Sequence, residues 1–152
     1  MAVETSQGRR PEPARQFSVF TPNRLGRLNQ LVGLLSAQDV HVLALTVLDT
    51  TDSAIIRLVV DDPDQARTLL LDNGFPFTES NLLVVELNAT TQLSQLMAAL
   101  LAAEINVNYL YSFIPHPRGK SLLAFSVEDQ EMAEQVLVRH QFSVLRQSDI
   151  SR

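Results

Sequence analysis

Apolar positions along the chain change their spacing in a fixed order, and the order occurs twice. Residues 16–20 form a short β-rich run and predict a strand. Leu28, Leu31, Val32 and Leu35 then fall at i, i+3, i+4 and i+7, the apolar face of a helix. Residues 40–48 and 55–60 are β-branched and aliphatic runs, separated by Thr50-Thr51-Asp52-Ser53, a polar cluster suited to a hairpin turn. Asp62-Pro63 predicts the N-cap and first position of a second helix, which runs through Ala66, Leu69 and Leu70 and is capped by Gly74. Residues 75–78 predict a closing strand, and Pro76 marks it as an edge or irregular one.

From Leu83 the same succession returns. Residues 83–87 predict a strand, and Leu93, Leu96, Met97, Leu100 and Leu101 a helix face. Residues 105–114 and 121–127 flank the loop His116-Pro117-Arg118-Gly119-Lys120. Asp129 is placed to cap a helix carrying Met132, Ala133, Val136 and Leu137, and residues 142–145 close the unit. Leu28 and Val40 recur 65 residues on as Leu93 and Ile105, whereas Ala66 and Phe75 recur 67 on as Ala133 and Phe142. The two extra residues therefore belong in the second hairpin loop. Repeats of about 20–50 residues build solenoids, and a longer unit implies small domains that share an interface. The order βαββαβ, with right-handed crossovers, predicts an α+β chain of two tandem ferredoxin-like sandwiches related by a pseudo-two-fold axis. The boundaries read from sequence are a disordered tail over 1–15 and repeats over 16–80 and 81–150. Val42, Ala44, Leu45, Val47 and Leu48 make both faces of one strand apolar, as do Ile105, Val107, Tyr109, Leu110, Tyr111 and Phe113 in its repeat. Such strands are covered on both faces, here by the other half, by another chain in a homodimer, or by both.

Composition narrows the function classes. The 152 residues carry a formal charge of −5, which argues against a phosphate-backbone partner and so against nucleic acid. Without cysteine there are no disulfides, thiolate metal sites or cysteine nucleophiles, and a reducing compartment fits. The first fifteen residues lack an apolar run and read as a solvated tail, in which Arg9 and Arg10 are at most a small contact patch. Apolar stretches elsewhere are broken well before the roughly 20 residues a bilayer requires. The expectation is a cytoplasmic protein without a membrane partner.

The segment Phe17-x-Val19-Phe20-x-x-Asn23-Arg24-Leu25-Gly26-Arg27-Leu28 resembles the first strand, loop and helix start of an ACT domain, whose loop is of the Asn-Arg-Pro-Gly type. Val40-His41-Val42 and Ile105-Asn106-Val107 resemble the Ile-Asn-Ile segment that opens that family's second strand, and Asp61-Asp62-Pro63 and Glu128-Asp129 its second helix start. The match, from Phe17 to about Ile150, is to bacterial stand-alone tandem ACT proteins. The resemblance implies a non-catalytic regulatory module that binds a small molecule, often an amino acid, between two units, with no cofactor or metal. In side-by-side pairs of that family the loop of one unit faces the second-strand opening of the other. Site one then combines Asn23, Arg24, Leu25 and Gly26 with Asn106 and Val107. Site two combines Asn88, Ala89, Thr90 and Thr91 with His41 and Val42.

The residues give that placement a physical rationale. A glycine at a strand-to-helix turn lets the backbone approach a ligand, and the helix-start N–H groups favour a carboxylate. Leu25 stands where the family has proline. Thr91 and His41 depart from the family at site two, and a β-branched residue blocks close approach and disfavours positive φ. Site two is accordingly expected to be weakened or empty. Simpler roles exist for each residue: Gly26 as a turn glycine, Asn23 as a helix cap, Asn106 bonding its own backbone, His41 as a structural side chain, and Tyr109 and Tyr111 as packing. His41, His116 and His140 show no metal-ligand spacing, and the acidic pairs Asp61/Asp62 and Glu128/Asp129 sit where helix capping explains them. Three readings compete: an amino-acid-binding regulatory protein, an interaction module with a vestigial site, and a small ferredoxin-like enzyme.

Overall fold

The structure, a computed structural model, describes residues 12–22, 26–115 and 119–151. The first unit is β1 (Ala14–Pro22), α1 (Arg27–Ala37), β2 (Val42–Asp49), β3 (Ser53–Val60) and α2 (Pro63–Asp72). Strand β4 (Phe77–Leu87) follows, and then α3 (Thr91–Ala102), β5 (Val107–Ser112), β6 (Ser121–Val127), α4 (Gln130–Arg139), β7 (Ser143–Leu145) and the short α5 (Gln147–Ile150). These are two ferredoxin-like units in tandem, as the residue pattern predicts.

Strand β4 joins the two units. Its first part pairs with β1, from Val19↔Phe77 to Ala14↔Leu82, and its second part with β6 and β7. The closing strand of the first unit thus continues without a break into the opening strand of the second, across the 80/81 boundary drawn from sequence. Pro76, just ahead of β4, accepts a hydrogen bond on its carbonyl from Phe20 N at 2.9 Å. The N-terminal strand also reaches further back than the sequence suggests. Ala14 and Arg15 belong to β1 because they pair with Leu82 and Asn81, and Ala14 is fully buried.

The strands form one antiparallel sheet in the order β2-β3-β1-β4-β6-β5, with β7 beside β4. The sheet curls until its outer edges meet, where Ala44 and Phe113 form an antiparallel bridge and Ile114 N donates to Leu43 O at 2.7 Å. Strand alternation sorts side chains between two environments. Phe17 and Val19 face α1 and α2 in the first core, with Leu31, Leu35, Ile56, Leu58 and Leu70. Leu83 and Val85 face α3 and α4 in the second, with Leu96, Leu100, Phe125 and Leu137. The opposite faces meet in a third cluster containing Ala14, Ala44, Val59, Leu82, Val84, Tyr111, Phe113, Leu122 and Ala124. The other half of the same chain therefore covers Ala44, Tyr111 and Phe113, whereas Val47, Leu48 and Leu110 of the same doubly apolar strands stay exposed.

The repeat extends to backbone detail. Both second strands carry an irregularity, at Val42/Ala44 and Val107/Tyr109. Each helix that ends in a left-handed residue does so at a repeat-related position: Asp39 and Glu104 after the first helices, Gly74 and Gln141 after the second. The chain then returns onto the helix through Val40 N→Leu35 O, Ile105 N→Leu100 O, Phe75 N→Leu70 O and Phe142 N→Leu137 O, all between 2.9 and 3.0 Å. Gly74 at φ 71° and Gln141 at φ 67° do the same work with different residues, so reciprocal substitutions separate conformation from packing. Gly74→Ala is expected to destabilise by about 1 kcal/mol and Gln141→Gly to stabilise by a similar amount, measured by urea unfolding.

An ion-pair cluster ties α2 to the junction strands. Arg67 donates from Nε and Nη2 to the two carboxylate oxygens of Glu79, both at 2.7 Å, and from Nη1 to Asp64 at 3.0 Å. These bonds, those to Glu79 first, raise the Arg67 pKa. The Arg67 hydrogen bonds hold the Glu79 carboxyl below the usual carboxylate value, against the opposing effect of burial. A depressed folded pKa adds stability that is present above the unfolded value and is lost as pH falls through the folded one. Glu79→Gln is therefore expected to cost about 1–2 kcal/mol near neutral pH, with the gap to wild type closing in acid as pH falls through the depressed carboxyl pKa. Denaturant unfolding at a series of pH values reads both.

Candidate functional site

The first loop begins where β1 ends at Pro22 and stops at Gly26, the N-cap of α1. Asn23, Arg24 and Leu25 lie outside the described residues. Gly26 has φ 92° and ψ −12°, and among the described residues a Cβ there would have nothing within 4 Å. The position thus demands positive φ. The repeat-related helix α3 starts differently, from Thr90 at φ −62°, in the right-handed region. Asn88 N donates to Gln92 Oε1 at 2.5 Å, so the second loop is closed on its own helix.

The second-strand openings are also tied down within their own units. His41 Nδ1 lies 2.6 Å from Asp61 Oδ2, and His41 N donates to Asp61 Oδ1 at 2.8 Å. The repeat-related pair has Asn106 Nδ2 donating to Glu128 Oε2 at 3.0 Å. The backbone bonds Asp61 N→His41 O and Glu128 N→Asn106 O, both 3.1 Å, complete the correspondence. Val42 and Val107 are the first residues of β2 and β5 and pair with Val60 and Val127.

Pairing direction decides which segments share an end of the molecule. The β2/β5 seam is antiparallel, so the start of β2 approaches the end of β5 and the end of β2 the start of β5. His41 and Val42 therefore lie at the end that carries the second loop, since Leu87 pairs with Ser121 beside the end of β5. Gly26 lies at the other end, with Asn106 and Val107. The cavities are more local than the ends. One of about 500 Å³ is lined by Asn106 with Glu104, Ile105, Glu128, Asp129, Gln130 and Met132, and one of about 250 Å³ by Asn88, Ala89 and Thr90 with Gly119, Ser121 and Leu123. Neither lining includes a first-half residue among the described residues.

Between the sheets lies a polar cluster that the residue pattern only half reveals. Gln16, fully buried, donates from Nε2 to Tyr109 Oη at 2.7 Å and accepts on Oε1 from the Tyr111 hydroxyl at 2.6 Å. Ser80 and Ser18 Oγ lie 3.4 and 3.5 Å from the same Nε2. The Arg57 guanidinium sits 4.0 Å over the Tyr109 ring, and the two tyrosine rings stack at 6.4 Å. Burial, reinforced by Tyr109, pushes the Tyr111 phenol above its ordinary pKa, so it remains a donor. The tyrosines are packing residues, as one reading of the sequence had them. Gln16 and Arg57 carried no signal except their place on the strand face that needs a cover.

Two βαββαβ units fused through one strand define a tandem ferredoxin-like pair. The profile of the ACT domain pair family matches residues 13–152, and the chain belongs to that family. Among solved structures, a protein of Bacteroides thetaiotaomicron is similar with a TM-score of 0.84 at 25% identity, over 93% of this chain and 98% of that one. The regulatory subunits of aspartate kinase from Thermus thermophilus and Thermus flavus share the fold. Their TM-scores are 0.60 and 0.58 at 12% and 15% identity, over 85% and 86% of this chain and 91% and 92% of theirs. Comparison with curated protein sequences gives no match. Among the described residues, no helix is long and apolar enough to cross a membrane, and no group of three or more His, Cys, Asp or Glu could hold a metal ion.

Proposed function

We propose that the chain is a non-catalytic regulatory protein that binds an amino acid between its two ACT units and acts by shifting the balance between subunit arrangements. The observation that carries this reading is a contrast among helix starts. Helices α2 and α4 are closed by Asp62 and Asp129, whose side chains accept from Gln65 N and Met132 N, and each has an acidic residue in its first turn. Helices α1 and α3, which follow the two candidate loops, have neither a side-chain cap nor an acidic first turn. At α3 the Gln92 and Leu93 N–H groups already donate to the carbonyls of Ala89 and Thr90, so among the described residues it is the start of α1 whose donors and positive dipole end suit a ligand carboxylate at the position the family resemblance selects.

The first site, Asn23, Arg24, Leu25, Gly26, Asn106 and Val107, is the working one. The left-handed backbone at Gly26 supports this assignment, and so does the antiparallel seam, which puts Gly26 toward the end that carries Asn106 and Val107. The second site, Asn88, Thr90, Thr91, His41 and Val42, is the weaker. There Asn88 N is already engaged and Thr90 lacks the left-handed backbone. The aspartate kinase regulatory subunits among the structural neighbours support a regulatory role. Exposed Leu101 and Val138, on the neighbouring helices α3 and α4, support a homodimer, in keeping with a cytoplasmic protein.

A thermal-shift screen of the common amino acids tests the reading. A rise in melting temperature with one amino acid, without its turnover, is the expected result. No rise with any of them, together with capture of a stable protein partner, would instead select the interaction module.

A further inference from the structure

We propose that the buried network of Gln16, Tyr109 and Tyr111 is a selectivity element: it makes the first half of the chain pair with the second half and not with a copy of itself. The argument starts from the pseudo-two-fold axis. Phe17 and Leu83 occupy matching helix-facing positions, so Gln16 corresponds to Leu82. The irregularities at Val42/Ala44 and Val107/Tyr109 match Tyr109 with Ala44, and Tyr111 with Thr46. On one side of the axis, therefore, an amide meets two phenols. On the other, Ala44 and Leu82, both almost completely buried, belong to the apolar cluster, and Thr46 stands where the second half has Tyr111.

A symmetric interface would accept either half on either side. This one does not. Two first halves face to face would set Gln16 opposite Ala44 and Thr46, whose short side chains cannot span the roughly 10 Å between stacked sheets. The amide nitrogen would keep only its long contacts to Ser18 and Ser80 of its own half, and Oε1, which accepts from Tyr111, would be buried without its donor, a substantial penalty. Two second halves would set both tyrosine hydroxyls opposite Leu82, again without a partner. Only the pairing of unlike halves satisfies all three groups, with Ser18 and Ser80 flanking the amide and Arg57 over the outer ring. A polar group that can be satisfied in a single arrangement specifies that arrangement even where it adds little net stability. This matters for a tandem protein, whose halves are otherwise alike enough to exchange partners between chains during folding.

The chain has no cysteine, so a reporter disulfide can be placed without interference. Leu43 and Ile114 face each other across the seam through the Ile114 N→Leu43 O bond. Leu43→Cys with Ile114→Cys reports unlike pairing as an intrachain crosslink under oxidising conditions. In the otherwise native full-length chain, nearly all the crosslink is expected to be intrachain. With Gln16→Leu, Tyr109→Phe and Tyr111→Phe added, the three groups that distinguish the pairings are removed, and the intrachain fraction is expected to fall by about two-fold or more as interchain species appear. An unchanged intrachain fraction overturns the proposal, leaving the network a stability role only. Should the combined variant fail to fold, Tyr111→Phe alone decides: it leaves Gln16 Oε1 without its donor, so an intermediate fall supports the selectivity role and an unchanged fraction overturns it.

Discussion

Placing a carboxylate at Ala124 is expected to destabilise the chain by about 4 kcal/mol or more, and this is the largest single-residue effect the architecture implies. Ala124 is completely buried, in the cluster where the outer faces of the two units meet. It pairs with Val84 on one side and Tyr111 on the other, both members of that cluster. Ala124→Asp therefore buries a charge with no cation assigned to it. In an isolated ferredoxin-like unit the same residue would lie on the uncovered face of the sheet, where the substitution would cost little. Denaturant unfolding of Ala124→Asp thus measures whether the halves are packed face to face, and a change below about 1 kcal/mol would show that they are not.

Phe17→Ala comes next, with an expected loss of about 3–5 kcal/mol. Phe17 neighbours Gln16, but alternation turns it toward the helices, where it is completely buried and its ring meets Phe77 at 5.8 Å between centroids. Phe77 opens β4, so the contact joins the first and last strands of the first unit. The cavity cannot be refilled by Leu31 or Leu35, which are themselves fully buried on α1. Equilibrium unfolding monitored by far-ultraviolet circular dichroism reads the loss. A value under about 1.5 kcal/mol would mean that this core tolerates collapse around the site.

Most of the fold was legible because local rules and the repeat agree. Asp62 with Pro63, Asp129, and Gly74 each mark a helix end by a mechanism that needs only neighbouring residues. Less was legible where pairing is non-local. Residues 75–78 and 83–87 read as two strands around a linker, because Glu79, Ser80 and Asn81 are polar. The structure runs them together, since those residues pair with Phe17, Gln16 and Arg15 on β1. The short α5 carried no periodic signal. It is fixed by long-range bonds, Arg15 N to Gln147 Oε1 at 2.9 Å and Gln147 Nε2 to Val60 O at 3.2 Å, that sequence spacing does not announce.

The candidate site divides in the same way. Gly26 could be picked out from its type and its place after a strand, and its left-handed backbone has the conformation that place requires. Gln16 could not, because a buried amide resembles an exposed one until its two tyrosine partners, 93 and 95 residues away, are brought to it.

Calorimetric titration of the amino acid found by thermal shift is the most direct measurement of the central claim, that one of two repeat-related sites works. The account expects one ligand per chain, binding abolished by Gly26→Val and retained by Thr91→Val. Two equivalent ligands per chain, or equal losses from the two substitutions, would contradict it.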